Sequence, residues 1–395
     1  MSNDSTAAQN VELAKGTTRG ARGKWNIRAY SMVIALIAVW ILFSILTGGT
    51  FITPRNISNL FEQSAEIAVL SVGMTLVIVT AEIDLSVGSL SGLAGGIAAI
   101  CQVSLHLNTW LSILAGLVVG LLAGLWQGWW VAYRRVPSFI VTLGGMLIFR
   151  GILIGLTNGT SIAPLSNSFM NISQAYLSDI VGVVLGVVAM VLYVFLRIRQ
   201  RRRQVTLNFP VRSLSSDILV MAVIVILTAA FVVYMNLYSG IPMSVFILII
   251  VAAIFTFVAG RTRFGRHLFA IGGNREAARI SGIPVKKRLL WVFILMGLLA
   301  GVTGALMVAR MGAGTADAGT NYELNAIAAC VIGGASLMGG VGSIPASIIG
   351  ALVMGSINNG MSMMNAAPFW EYVVPGLVII FAVWFDMSSK SRQTS

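Results

Sequence analysis

Few side chains in this sequence are equipped for chemistry. The most conspicuous are two carboxylates, Glu82 and Asp84, two residues apart in AEIDLSVGSLSG (81–92), directly after an apolar run. Carboxylates at membrane depth are costly unless they are paired, hydrated or at the membrane rim. Three roles are open to them: a break in the span that gates or lines a path, a contact with a partner protein, or a short turn in which Asp84 caps the next helix. Arg150, in LIFRGIL, is a charge inside another apolar run. A structural ion pair with Glu82 or Asp84 is its default role, with snorkelling or a wet cavity as the alternatives. Glu323, in GTNYELNAIAA, suits helix-start chemistry or a position facing a vestibule. Cys101 and Cys330 both lie in apolar runs and suit small core positions. His106 and His267 fall on opposite sides of the predicted membrane, which argues against a histidine metal site. The chain has neither a phosphate-binding G-x-x-x-x-G-K-[ST] loop nor a nucleophile–base pair. It is therefore not expected to hydrolyse ATP, and energy for any work it does must come from a partner or an ion gradient.

A second stretch could carry recognition. RTRFGRHLFAIGGNREAARISGIPVKKR (261–288) holds eight positive charges against one acid, Glu276. Asn274 is placed to cap a short helix, with Glu276 in its first turn and Ala277 and Ala278 favouring it; Gly282 and Pro284 stop it. A basic loop that presents a short helix to water is either a docking surface or a charged loop that only orients the chain.

The elements that position these residues are membrane spans. Of 395 residues 57% are hydrophobic and 10% charged, against roughly 25% charged in soluble domains. Mean hydropathy is +0.89. The pattern predicts an all-α, polytopic membrane protein with about twelve spans. These cover 29–48, 66–81, 87–104, 109–133, 138–157, 178–196, 217–235, 243–259, 289–309, 324–340, 341–360 and 368–386. A loop beginning at Pro54 precedes the second span, 158–177 is an external loop, and RIRQRRR (197–203) is a loop that anchors to anionic lipid. Residues 324–360, rich in Gly and Ser, form two closely packed helices or a re-entrant pair. Residues 1–28 and 389–395 are tails, and 29–388 is one transmembrane domain. The VGS triplets at 87–89 and 341–343 suggest a remnant internal repeat. With the N-terminus inside, 23 of the 26 basic residues fall on the cytoplasmic side, which fits the positive-inside rule with both termini cytoplasmic. It also explains the +13 charge without nucleic acid.

Glu276-Ala277-Ala278, three residues and Gly282 resemble the EAA-x-x-x-G loop by which permease subunits of ABC importers engage their ATPase. GRHLFAIGGNREAARISGI and SVGMTLVIVTAEIDLSVGS are similar to the ribose, galactose and xylose permeases. GWWVAYRRVPSFIVTLGGMLIFRGILIGLTNGT (128–160) and NNGMSMMNAAPFW (358–370) resemble the xylose branch, as does the extra length at 158–236, which adds two spans to a ten-helix core. The resemblance implies a monosaccharide permease working by alternating access, with a tandem ATPase that uses ATP and Mg, an extracytoplasmic sugar-binding protein and a second permease copy as partners. It assigns ATPase-coupling contacts to Gly273, Asn274, Glu276, Ala277, Ala278, Arg279 and Gly282. A sugar path needs amides and hydroxyls with few charges. Asn158, Thr160, Asn325, Ser336, Asn358 and Asn359 supply them and could instead cap helices or bond between them; Glu82, Asp84 and Arg150 join them as candidates for the path or its gate. The rival class is a proton-driven secondary sugar carrier with Glu82 and Asp84 as relay.

Overall fold

A computed structural model describes residues 27–394 apart from Pro210 and Arg212; the predicted N-terminal tail lies almost wholly outside them. No strand occurs among the described residues, and backbone pairing outside helices is confined to two isolated bridges, Ile162–Gly314 and Tyr176–Pro242. Among the described residues, eight helices are long and apolar enough to cross a membrane. They are α2 (Pro54–Val79), α4 (Thr109–Ala132), α5 (Ser138–Thr157), α7 (Asp179–Thr206), α8 (Leu214–Asn236), α9 (Met243–Arg261), α12 (Val285–Met311) and α14 (Ile344–Met363). Four helices carry shorter apolar segments: α1 (Ile27–Leu46), α3 (Val87–Val103), α13 (Tyr322–Ile332) and α15 (Trp370–Thr394). Three small ones complete the order: α6 (Asn167–Gln174), α10 (Arg263–Gly273) and α11 (Arg275–Ile280).

The core is built around α2, in which every residue from Ser64 to Val79 is buried. Helices α9, α12, α13 and α14 pack against it. In lipid, helix association rests on close packing rather than on the hydrophobic effect, so small residues mark the contacts. The α4–α12 contact is an example: a Cβ on Gly120 would lie 2.3 Å from the carbonyl oxygen of Gly297, and one on Gly297 would lie 2.2 Å from that of Gly120. Side chains at these positions would force the two helices apart.

Several expectations need correction. The second span does not begin at 66 after a loop; α2 starts at Pro54, whose ring suits the first helical position. The polar residues that suggested a loop are satisfied inside the bundle. Asn56 donates through Nδ2 to Phe51 O (2.8 Å) and Asn359 Oδ1 (2.9 Å), and Glu66 is ion-paired. The supposed external loop 158–177 contains α6, capped by Ser166 and anchored by the fully buried Phe169. The basic run 197–203 is not a loop but the continuation of α7, and Arg197 and Arg201 pair with Asp217 at the start of α8. In the small-residue region α13 has only 11 residues, about 16 Å at the usual helical rise. It ends at a glycine turn before α14, and α15 runs on as far as Thr394.

Candidate functional site

The stretch 261–288 folds as two short helices at the basic end of the bundle. Thr262 caps α10, its Oγ1 accepting from Gly265 N–H at 3.2 Å. Leu268 and Ile271 are buried beneath that helix. Asn274, in extended backbone, then caps α11, its Oδ1 accepting from Ala277 N–H at 2.9 Å. Arg279 donates to both carboxylate oxygens of Glu276, Nε at 3.0 Å and Nη2 at 2.5 Å. That hydrogen bonding holds the Glu276 carboxyl below its ordinary range. Gly282 adopts φ +79°, where a side chain is strained, yet a Cβ there would meet nothing within 4 Å. Gly273, Asn274, Glu276, Ala277, Arg279 and Gly282 are all exposed. Ala278 is not: at 4% exposure it is the inward face of the turn. Ile280, 75% exposed, stands in the open beside Arg279.

This pair of short helices is fastened to the central helix. A Cβ on Gly272 would lie 1.7 Å from Val79 O and 2.5 Å from Gly340 N, and Gly340 N–H donates to the same Val79 oxygen at 2.9 Å. Three backbones thus converge on the last turn of α2. Arg275, the first residue of α11, forms an ion pair with the buried Glu82 just beyond that turn. At the far side of the loop, Arg288 Nε donates to His267 Nδ1 at 3.1 Å. Burial, together with Arg288, Arg266 and Arg263, lowers the His267 pKa.

The intramembrane candidates separate. Asp84 Oδ1 accepts from Ser86 N–H (2.9 Å) and Ser86 Oγ (2.7 Å), a turn that leads into α3. Arg150 pairs with neither carboxylate, which corrects the expected ion pair. The 312–321 loop descends to its level, and Arg150 Nη1 donates to Ala316 O and Ala318 O at 2.8 and 2.9 Å, with Nη2 on Thr320 Oγ1 at 3.1 Å. Asn158 is an exposed, left-handed terminator of α5, and Asn359 is committed to Asn56. Asn325 and Asn358 do come together, on a cavity of about 310 Å³ between α2, α12, α13, α14 and the start of α15.

That cavity lies toward the end of the bundle opposite α11, and its floor was not anticipated. Glu66, fully buried in α2, accepts from Arg310 Nε at 2.6 Å and Nη2 at 3.1 Å, and from Tyr322 Oη at 2.6 Å. One turn away, Glu62 accepts from Ser173 at 3.3 Å. The carboxylates of NISNLFEQSAE (56–66) stand four apart and so share a helical face, a signal masked by the polar composition of the stretch. Gln63, Arg310, Tyr322, Asn325, Asn358 and Glu371 line the cavity. Asn325 is 5% exposed, and its Oδ1 has no hydrogen-bond partner among the described residues.

A helical membrane bundle that holds out a capped, partly apolar helix at one end and keeps a polar cavity near the other has the parts of a permease. Residues 56–383 match the family model described as the branched-chain amino acid transport system / permease component, and the chain belongs to that family. It is 48% identical over 367 residues to the xylose transport system permease protein XylH of Haemophilus influenzae, covering 93% of this chain and 98% of the relative. It is 46% identical over 384 residues to XylH of Escherichia coli K12, covering 97% and 98%. With the ribose import permease protein RbsC of Escherichia coli K12 it shares 34% identity over 362 residues, covering 92% and 94%. No solved structure matches it.

Proposed function

We propose that this chain is the membrane subunit of an ATP-driven importer that carries D-xylose across a bacterial inner membrane. Near-complete alignment with two xylose permeases at 46–48% identity supports the substrate. One observation carries the coupling mechanism: the exposed α11 is joined to the buried end of α2 through Gly272 and the Arg275–Glu82 ion pair. In this reading the eight long helices and the four shorter apolar segments, α13 together with the glycine turn that follows it, each count as a crossing, twelve in all, with both termini and α10–α11 in the cytoplasm. A tandem ATPase seats on α11, where Ile280 and the apolar stems of its neighbours meet a groove rimmed by carboxylates. An extracytoplasmic sugar-binding protein loads the opposite face, and a second copy of the chain completes the transporter. Closure of the ATPase pulls α10–α11, and the pull passes to α2 and to the 80–86 turn that leads into α3. Glu82 and Asp84 are both engaged, by Arg275 and by Ser86. They hold this linkage together rather than relay protons.

The test compares Gly282→Arg with Gly282→Ala in proteoliposomes that contain the ATPase and the sugar-binding protein. Open space around Gly282 means that either side chain fits the free permease, at a backbone cost of about 1–2 kcal/mol. The alanine variant should retain ATP-dependent uptake. The arginine variant should insert normally but lose both ATPase capture and uptake. Wild-type uptake by Gly282→Arg would sink the docking assignment.

A further inference from the structure

We infer that the permease carries its own low-affinity recognition site for a neutral polyhydroxyl solute, in the cavity built on the Glu66–Arg310–Tyr322 network. The inference rests on the sugar-importer reading and goes beyond it, because selectivity there need come only from the binding protein.

Four observations converge. The first is electrostatic. The charged groups in the floor neutralise each other within the protein, Arg310 giving Nε and Nη2 to Glu66. The Arg310–Glu66 pair offers oriented donors and acceptors with no net charge of its own, and the carboxylates of Glu62 behind it and Glu371 at the rim turn an anion away, which suits an uncharged ligand. The second is the lining. Gln63, Asn325 and Asn358 bring three carboxamides, each donor and acceptor at once, from three different helices. The third is Asn325 Oδ1, a buried acceptor with no partner among the described residues; buried polar groups are ordinarily satisfied, and a ligand hydroxyl would satisfy it. The fourth is size. At about 310 Å³ the cavity stands at the small end of the range for ligand sites, about 300–1,000 Å³. That is room for one monosaccharide ring and not for an oligosaccharide. Ile67 and Gly355 are the apolar members of the lining, where a ring's C–H face can lie. Its rim is open to solvent at Thr320, Ser362 and Glu371, so a ligand can leave as readily as it enters, as a transport site requires.

The experiment is equilibrium binding of radiolabelled D-xylose to the full-length permease in nanodiscs, without ATPase or binding protein. Wild type should bind saturably, with competition by unlabelled pentose and none by a pentonate of the same length. Asn325→Ala should raise Kd about tenfold, a loss of about 1.4 kcal/mol. Since Asn325 is buried, Asn358→Leu serves as the half-buried second variant and should weaken binding similarly while the protein elutes as a single species. Gly282→Arg, remote from the cavity, should bind as wild type does. No saturable binding by wild type, or unchanged Kd in both cavity variants, overturns the site. Failure of the importer reading would look different: binding would persist while the wild-type chain showed no ATP-dependent uptake with its ATPase and binding protein.

Discussion

Arg310 shows at the level of single residues how this bundle tolerates charge. Its guanidinium is held by two hydrogen bonds to Glu66, which has no solvent exposure at all. Removing one partner of such a pair strands the other, at a cost of about 3–5 kcal/mol, whereas replacing both with apolar residues is far milder. Arg310→Met alone should therefore lower the unfolding midpoint in detergent sharply, and Glu66→Leu with Arg310→Met should recover most of the loss. A double variant as unstable as the single would mean that the pair contributes nothing beyond packing. His267 makes a smaller, pH-dependent contribution. Burial, Arg288, Arg266 and Arg263 favour its neutral form in the fold. The unfolded chain, at the ordinary value of about 6.5, therefore takes up the proton first as pH falls. Stability from the neutral ring is present above about pH 6.5 and fades as pH drops through that value. Wild type should lose more thermal stability than His267→Gln between pH 7.5 and 5.5; equal losses would show that the ring does not titrate against the fold. At this scale the sequence was legible where the chemistry is local. Asn274, Glu276 and Gly282 do as caps and stops what their types predict, because capping depends on three or four neighbouring residues. Arg150 was not legible, since its partners are carbonyls about 166 residues away that no side-chain pattern marks.

Helices were legible wherever hydrophobicity alone sets their length. The expected and observed spans at 87–104, 109–133, 138–157 and 243–259 agree within about two residues at each end. The misses fall where polar residues continue a helix. In α2 the polar residues Asn56 and Glu62 suggest a loop and Glu66 the edge of a span, but all three are paid for by partners from α6, α12, α13 and α14. In α7 an arginine run continues the helix because Asp217 receives two of its charges. Tertiary pairing of this kind leaves no periodicity in one stretch of sequence. The same limit hid Gly272, whose value comes from a strand of backbone it touches rather than from its own helix. Gly272→Ala should push α10 off the last turn of α2, because the added carbon would sit 1.7 Å from Val79 O. The exposed face of α11 is untouched by that change. The expected outcome is a permease that still captures its ATPase but couples hydrolysis to uptake poorly, read as a fall of at least about tenfold in sugar moved per ATP. Unimpaired coupling would place the transmission elsewhere, with the Arg275–Glu82 pair as the remaining link.

In the whole molecule, α7 and α8 stand apart from the rest. They pack chiefly on each other and present mostly exposed apolar side chains, as lipid-facing helices do. Their attachment to the core is narrow: Phe231 meets Phe61 edge-on with ring centroids 5.0 Å apart, and Tyr234 Oη donates to Ile52 O. The chain enters and leaves the hairpin at one place. Leu177 N–H donates to Ile241 O at 2.9 Å and Met243 N–H to Ala175 O at 2.8 Å, closing the base where Tyr176 and Pro242 form their bridge. An insertion with adjacent ends can be removed without stretching what remains. This is the physical content of the expectation that two spans were added to a smaller core, and it separates two roles for the hairpin. If it is peripheral, joining Leu177 to Ile241 through a short Gly/Ser linker should yield a permease that inserts, elutes as a single species, captures its ATPase and binds pentose in the Glu66–Arg310–Tyr322 cavity with unchanged affinity. Uptake should then fall by no more than about twofold, since neither the α10–α11 linkage nor the cavity draws a residue from α7 or α8. If the hairpin instead braces α2 through Phe61, the shortened chain will aggregate or lose the cavity. Phe231→Ala in the full-length protein distinguishes a lost ring contact from a damaged linker: a brace requires that single truncation to weaken pentose binding, and a peripheral hairpin requires that it does not.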